Sequence, residues 1–106
     1  MSKYSINLLK VPNQSLSCNL TDDNNNMYAV DIDLRTLPDD NLICNISMGG
    51  EIIILSAMCC NKMPLIPTNV LNGNLYFEDI YGDTDPNYKE FGERYKLIYD
   101  TEFRLG

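Results

Sequence analysis

The acidic side chains are the first candidates for chemistry in this 106-residue sequence, which has 15 acidic and 8 basic residues. Asp79, Asp83 and Asp85 lie close to Glu78, and together they offer the oxygen ligands that Ca²⁺ prefers. The regular spacing of acidic residues in an EF-hand loop is absent. We therefore expect a solvated turn whose Asp side chains cap backbone amides, with a cation in the Asp83 and Asp85 loop as the alternative.

A second pair of carboxylates is formed by Asp31 and Asp33, which are two residues apart in an alternating segment and so share one face of a strand. Two carboxylates on one face can act as general acid and general base. No second chemical group accompanies them in the sequence, and we interpret them as the solvent-facing side of a strand.

The cysteines complete the reactive groups, because the sequence has four of them and no histidine. Without histidine there is no Ser-His or Cys-His nucleophile pair and no His-ligated metal. Cys18, Cys44, Cys59 and Cys60 contain no C-x-x-C spacing, and phosphate-binding glycine loops and nucleophile elbows are also missing. We expect reduced, buried thiols, no enzyme activity, no cofactor and no metal; a redox protein that uses Cys59 or Cys60 is the weaker alternative.

The net charge of -7 argues against specific nucleic-acid binding, which normally needs a positive field. The most apolar window, 52–60, is interrupted by Ser56 and is too short for a membrane helix. The apolar stretch at 6–9 is too short for the core of a signal peptide. We therefore expect no membrane partner.

The segments that must position these residues alternate between apolar and polar side chains, which predicts strands. They are 15–20, 28–35, 42–48, 51–58, 75–80 and 94–99, with a short first strand at 4–9. The polar loop 21–26 and the Gly49-Gly50 pair predict two hairpins. The sequence predicts one all-β domain over 1–106, a small, mostly antiparallel sandwich or barrel of six or seven short strands, with a loose tail at 101–106.

Three further segments carry local predictions. Segment 51–58 is apolar on both faces, which predicts a central strand or one that a partner chain covers. The two prolines at 64 and 67 predict an extended stretch, followed by one turn at 69–71. Tyr88 to Gly92 predicts a helical turn that the glycine ends.

The aromatic residues concentrate in the last third of the chain, where we expect them to form the core or a protein interface. Tyrosine suits an interface because it combines a large contact area with a polar tip. The candidate interface residues, each of which is equally a candidate for the core, are Pro64, Leu65, Ile66, Pro67, Tyr76, Tyr81, Tyr88, Phe91 and Tyr95.

The order and spacing of several short motifs resemble a known family. The motifs are Leu16-Ser-Cys-Asn-Leu20, Asp31-Ile-Asp-Leu-Arg35, Pro64-Leu-Ile-Pro67, Gly73-Asn-Leu-Tyr-Phe77, Asp85-Pro-Asn-Tyr88 with Phe91-Gly92, and Leu97-Ile-Tyr99. No single motif is specific, but in this order they resemble the baseplate plug family of contractile-tailed phages over nearly the whole chain.

The resemblance implies a virion structural protein without catalysis, in the tail baseplate of a phage or a phage-tail-like contractile injection system. It would close or line the distal end of the tail tube and contact hub, tube-initiator and tape-measure proteins. Made in the host cytoplasm, it would assemble as a symmetric multimer of three or six copies. The residues alone leave an alternative, a soluble acidic β binding module of OB-like or sandwich form, such as an inhibitor that mimics nucleic acid.

Overall fold

The computed structural model describes residues 3–66 and 73–102, which form seven strands and one short 3-10 helix. The strands are β1 (Lys3–Ile6), β2 (Asn13–Thr21), β3 (Met27–Thr36), β4 (Leu42–Met48), β5 (Glu51–Met58), β6 (Asn74–Asp79) and β7 (Tyr95–Asp100). They make two antiparallel sheets, and the predicted all-β class is confirmed in its sandwich form. No helix among the described residues is long and apolar enough to cross a membrane.

The four-stranded sheet has the order β2-β3-β4-β5, so each strand pairs with its neighbours in sequence. The predicted hairpin of β2 and β3 is confirmed, and its loop is closed by the Asp22 carboxylate, which accepts the backbone N–H groups of Asn24 and Asn26 at 2.9 Å each. The predicted hairpin of β4 and β5 turns at Gly49 and Gly50, both with positive φ, as a tight type I′ connection requires.

The three-stranded sheet has the order β1-β7-β6 and therefore joins distant parts of the chain, such as Lys3 with Asp100. Between β6 and β7 lies the helix η1 (Tyr88–Glu90), whose first turn is capped by the Asn87 side chain. This element confirms the predicted helical turn, and Gly92 follows it with a φ of +81°.

The core fills the space between the two sheets. Val30, Ile32 and Leu34 point inward from β3, as the alternation predicted, and the opposite sheet contributes Phe77 and Tyr99. Each such large apolar side chain contributes about 1.5–3 kcal/mol when it is withdrawn from water. Packing of the two apolar faces therefore fixes which face of each sheet remains exposed.

Three predicted features differ from the structure or lie outside it. The prediction that segment 51–58 is central is wrong, because β5 is an edge strand. Thr101, the first residue of the predicted tail, is buried, and its hydroxyl donates to Asp23 at 2.9 Å. The predicted turn at 69–71, Pro67 and residues 103–106 lie outside the described residues.

Two glycines with the same backbone conformation allow a matched test of the packing. Gly50 and Gly73 have φ values of +84° and +85°, but a Cβ at Gly50 would meet open space, whereas a Cβ at Gly73 would lie 2.1 Å from the Asp100 carbonyl oxygen. We expect Gly73→Ala to lower the free energy of unfolding by at least about 2 kcal/mol more than Gly50→Ala, measured by urea denaturation. Equal losses would contradict this account of Gly73.

Candidate interface

The nine residues predicted for the core or an interface differ widely in exposure. Pro64 and Tyr88 are partly buried, Tyr81 has 76% of its surface exposed, and Pro67 lies outside the described residues. Five are buried within the domain: Leu65, Ile66, Tyr76, Phe91 and Tyr95. Among the eight described positions, Tyr81 is therefore the one that offers a largely free side chain.

The segment before residue 67 covers the outer edge of β6. The Lys62 backbone N–H donates to the Phe77 carbonyl at 2.7 Å. The Asn74 side chain binds both backbone groups of Ile66, accepting its N–H at 2.9 Å and donating to its carbonyl at 2.6 Å. An unpaired edge strand can add strands from other chains, so this segment protects β6 from such pairing.

The acidic group at the end of β6 supports a turn, as predicted, but the prediction of a solvated turn is wrong for Asp79, whose side chain is buried. The fully buried Asp79 carboxylate receives Nε and Nη2 of Arg94 at 2.8 and 2.9 Å. It also accepts the backbone N–H groups of Tyr81 and Thr84 at 3.0 Å each. The Arg94 hydrogen bonds hold the pKa of Asp79 well below its usual range, against the opposing effect of burial.

The neighbouring acid Asp85 has a similar role, since it accepts the backbone N–H of Asn61 at 3.1 Å. The predicted capping of backbone amides is thus confirmed for Asp79 and Asp85. Within residues 3–66 and 73–102, no group of three or more His, Cys, Asp or Glu side chains is arranged to hold a metal ion.

The four cysteines are free thiols, as predicted. The predicted burial is confirmed for Cys44 and Cys59, whereas Cys18 and Cys60 are only partly buried. Contact with Cys44 and burial raise the pKa of Cys59, and burial raises the pKa of Cys18 and Cys60. Because the thiolate is the reactive form, these environments disfavour nucleophilic chemistry at Cys18, Cys59 and Cys60.

A groove of about 450 Å³ crosses the outer face of the four-stranded sheet. We call it the outer groove. Polar residues from three strands line it together with apolar residues of β5: Ser15, Ser17, Asp31, Asp33, Asn45, Ser47, Ile52 and Leu55. The outer groove combines carboxylates, hydroxyls and exposed aliphatic side chains in one concavity.

Asp33 is held in a hydrogen-bond network that spans the sheet. Its carboxylate accepts the Ser15 hydroxyl at 2.8 Å, Nε of Arg35 at 2.9 Å and Nδ2 of Asn45 at 3.1 Å. Burial favours the neutral acid, but these hydrogen bonds and the Arg35 charge outweigh it and lower the pKa of Asp33. Oδ1 of Asn45 in turn accepts the Ser56 backbone N–H at 2.7 Å, which extends the network to β5.

The Asn45 contact coincides with a β-bulge in β5. Cys44 pairs with Ala57 and Ile46 with Ile54, so two residues of β5 oppose the single Asn45 of β4. Ser56, one of these two residues, has a φ of +55°, which is uncommon for a residue with a side chain. A bulge re-aims the neighbouring side chain, and here Leu55 lines the outer groove.

Asp31 differs from Asp33 in its charge balance. It accepts a hydrogen bond from the Ser17 hydroxyl, but none of the described cations forms an ion pair with it. On the same groove, Ile52 and Leu55 have 67% and 70% of their surfaces exposed. The outer groove thus offers one open carboxylate beside an apolar wall.

The sequence identified Asp31 and Asp33 but did not predict the groove. The hairpin register places Ser17 opposite Asp31 and Ser15 opposite Asp33. Once the hairpin was assumed, this register could have predicted one polar surface formed by both strands. No comparable signal predicted the bulge, because alternation of side chains does not report an extra residue.

The described residues thus place the chain in the class of small β-sandwich proteins, with a groove of polar and apolar side chains on the outer face of the four-stranded sheet. A family model described as cyanophage baseplate Pam3 plug gp18 matches residues 1–102, and the chain belongs to this family. No curated protein matches the sequence. The resemblance to the baseplate plug family is confirmed, and membership assigns the chain a structural role in a phage tail baseplate and a place in the virion.

The Asn45 network gives a test of how the groove is held. We expect Asn45→Ala to lower the free energy of unfolding by about 1–3 kcal/mol, because it leaves the Ser56 N–H without its acceptor and removes one donor to Asp33. Ser47→Ala, on the same strand and face, is the control and should change stability by less than about 0.5 kcal/mol. Urea denaturation measures both; a similar loss in the two variants would rule out the network as the cause.

The ion pair between the buried Asp79 and the partly exposed Arg94 predicts a pH dependence of stability. Because the pKa of Asp79 is lowered on folding, its contribution is fully present above the unfolded-state value of about 3.9 and is lost as the pH falls toward the native pKa. Asp79→Asn should therefore lower the urea midpoint clearly at neutral pH, and the difference from wild type should shrink on acidification. Asp83→Asn, in the exposed part of the same loop, serves as the control; a pH-independent Asp79→Asn effect would contradict the linkage.

Proposed function

We propose that the protein closes or lines the distal end of the tail tube within the baseplate and contacts hub, tube-initiator and tape-measure proteins. The observation that carries this proposal is the family match over residues 1–102, to a protein whose description is a baseplate plug. Synthesis in the host cytoplasm would precede assembly, and axial symmetry of the tail favours three or six copies.

The charge of the chain supports a position beside the DNA path. A net charge of -7 on a domain of 106 residues repels phosphates, so DNA passing the protein would not adhere to it. A protein that closes a channel and later lets DNA through benefits from such repulsion.

Of the nine candidate interface residues, Tyr81, which lies in the loop after β6, is the residue for which we propose a contact with another protein. Tyr81 is largely exposed, Ile80 beside it is also exposed, and Asp79 holds this turn through the Tyr81 backbone N–H. We propose that Tyr81 contacts a neighbouring baseplate protein. Tyr95, a buried residue of the same set, would act indirectly, since its hydroxyl lies 2.8 Å from the Thr84 hydroxyl of this loop.

The second candidate, an acidic binding module that mimics nucleic acid, needs a continuous row of open carboxylates. Asp22 and Asp79 are buried, and Asp33 is paired with Arg35. These placements interrupt such a row, whereas the family match favours the baseplate role.

Electron microscopy of intact tails tests the location. We expect density for this chain on the tail axis at the distal end of the tube, in three or six copies, and loss of that density in particles from which the gene is deleted. Absence of the chain from purified tails, or density on the outer surface of the sheath alone, would overturn the proposal.

A substitution tests the contact at Tyr81. We expect Tyr81→Ser to reduce incorporation of the chain into tails by at least about fivefold, which corresponds to roughly 1 kcal/mol of lost contact energy. Leu9→Ser, at a leucine with 69% of its surface exposed, is the control and should incorporate as wild type does. Immunoblots of purified tails measure both, and equal incorporation of the two variants would exclude Tyr81 from the interface.

A further inference from the structure

The outer groove combines a carboxylate without a described cationic partner, Asp31, with exposed apolar side chains of β5, and one kind of ligand would match both features. We propose that it binds a protein segment that carries a lysine or arginine next to an apolar side chain. This inference concerns the chemistry of a contact surface and does not depend on where in the tail the protein lies.

The charge in the groove favours a cation. Asp33 already has its counter-ion in Arg35, with Nε and Oδ2 2.9 Å apart, so its charge is largely balanced within the domain. Asp31 receives a neutral hydroxyl from Ser17 and no described cation. A guanidinium or ammonium group would form the ion pair that Asp31 lacks.

A cation alone would leave the exposed apolar side chains of the groove uncovered. Ile52 and Leu55 lie on the groove with about two thirds of their surfaces exposed, at 67% and 70%. The Ser56 bulge, fastened by Asn45, keeps Leu55 on this side of β5. An aliphatic or aromatic side chain beside the cation would cover these residues and remove the exposed apolar surface from water.

The other occupants fit less well. A nucleic acid would bring phosphates toward a carboxylate in a domain of net charge -7. A metal ion would find Asp31 alone, since Asp33 is occupied and the described residues contain no metal-ligating cluster. A second copy of the chain would bring the same net negative charge to the groove. Charge complementarity therefore favours a different, locally basic protein.

Two short peptides of equal length test the proposal directly on the full chain. One alternates arginine with leucine and the other glutamate with leucine, and each is titrated to about 1 mM while amide NMR shifts are recorded. We expect shifts at Ser17, Asp31, Ser47 and Ile52 with the arginine peptide alone. The apparent affinity should fall as salt is raised, because part of the attraction is electrostatic.

Matched variants separate the charge from the apolar wall. The Asp31→Asn side chain can still accept the Ser17 hydrogen bond but lacks the charge. It should lower the affinity for the arginine peptide by at least about fivefold. Asp83→Asn removes the same charge from an exposed loop and should have little effect. Leu55→Ser should weaken binding, whereas Leu9→Ser, at a leucine with 69% of its surface exposed, should not. Wild-type spectral dispersion in each variant establishes that it is folded.

Three outcomes would overturn the proposal. Equal affinity of Asp31→Asn and Asp83→Asn, or equal binding of both peptides, would show that the groove does not select a cation. If light scattering finds a dimer for the wild type and a monomer for Leu55→Ser, the groove binds a second copy of the chain. Selective peptide binding together with absence of the chain from purified tails would support this inference and refute the proposed function alone.

Discussion

Two open sheets have four edges, and the protection of two of them, β6 and β5, accounts for the covering segment and the bulge in this domain. The edge of β6 is covered by a segment that Asn74 fastens through both backbone groups of Ile66. The edge strand β5 carries a bulge instead, at Ser56. Bulges and coverings of this kind prevent edge-to-edge aggregation of β proteins. The outer groove is a consequence of the bulge in β5, because the bulge places Leu55 beside the polar residues of β2, β3 and β4.

The carboxylates show how an acidic sequence can be used for architecture. Asp22 closes the β2–β3 loop, Asp79 holds the turn after β6, and Asp33 joins three strands on the outer face. Each accepts backbone or side-chain donors that would otherwise be unsatisfied. Asp31 is the exception within the groove, since it lacks a cationic partner among the described residues. The groove differs from the rest of the acidic surface because it contains, beside the paired Asp33, a carboxylate, Asp31, without a described cationic partner. The number of acidic residues does not make this difference.

Local patterns in the sequence predicted the parts of the fold that local interactions determine. Alternation located the strands, and the polar loop and Gly49-Gly50 located both hairpins. The same patterns could not place β5 at an edge, because they do not show that the next strand, β6, pairs with β7 in the other sheet and not with β5. The aromatic residues were ambiguous for a related reason. A tyrosine serves a core or an interface equally well, and the packing of the two sheets decides that Tyr95 is buried and Tyr81 exposed.

The two sheets also differ in how far along the chain their partners lie. Every pairing in the four-stranded sheet joins consecutive strands, whereas the three-stranded sheet pairs Lys3 with Asp100. Pairings between distant residues form slowly because a long loop must close first. The meander of β2 to β5 can therefore assemble early and present its apolar face as a template, on which β1, β7 and β6 close later. In kinetic terms, we expect the sheet that carries the outer groove to be the first half of the domain to fold.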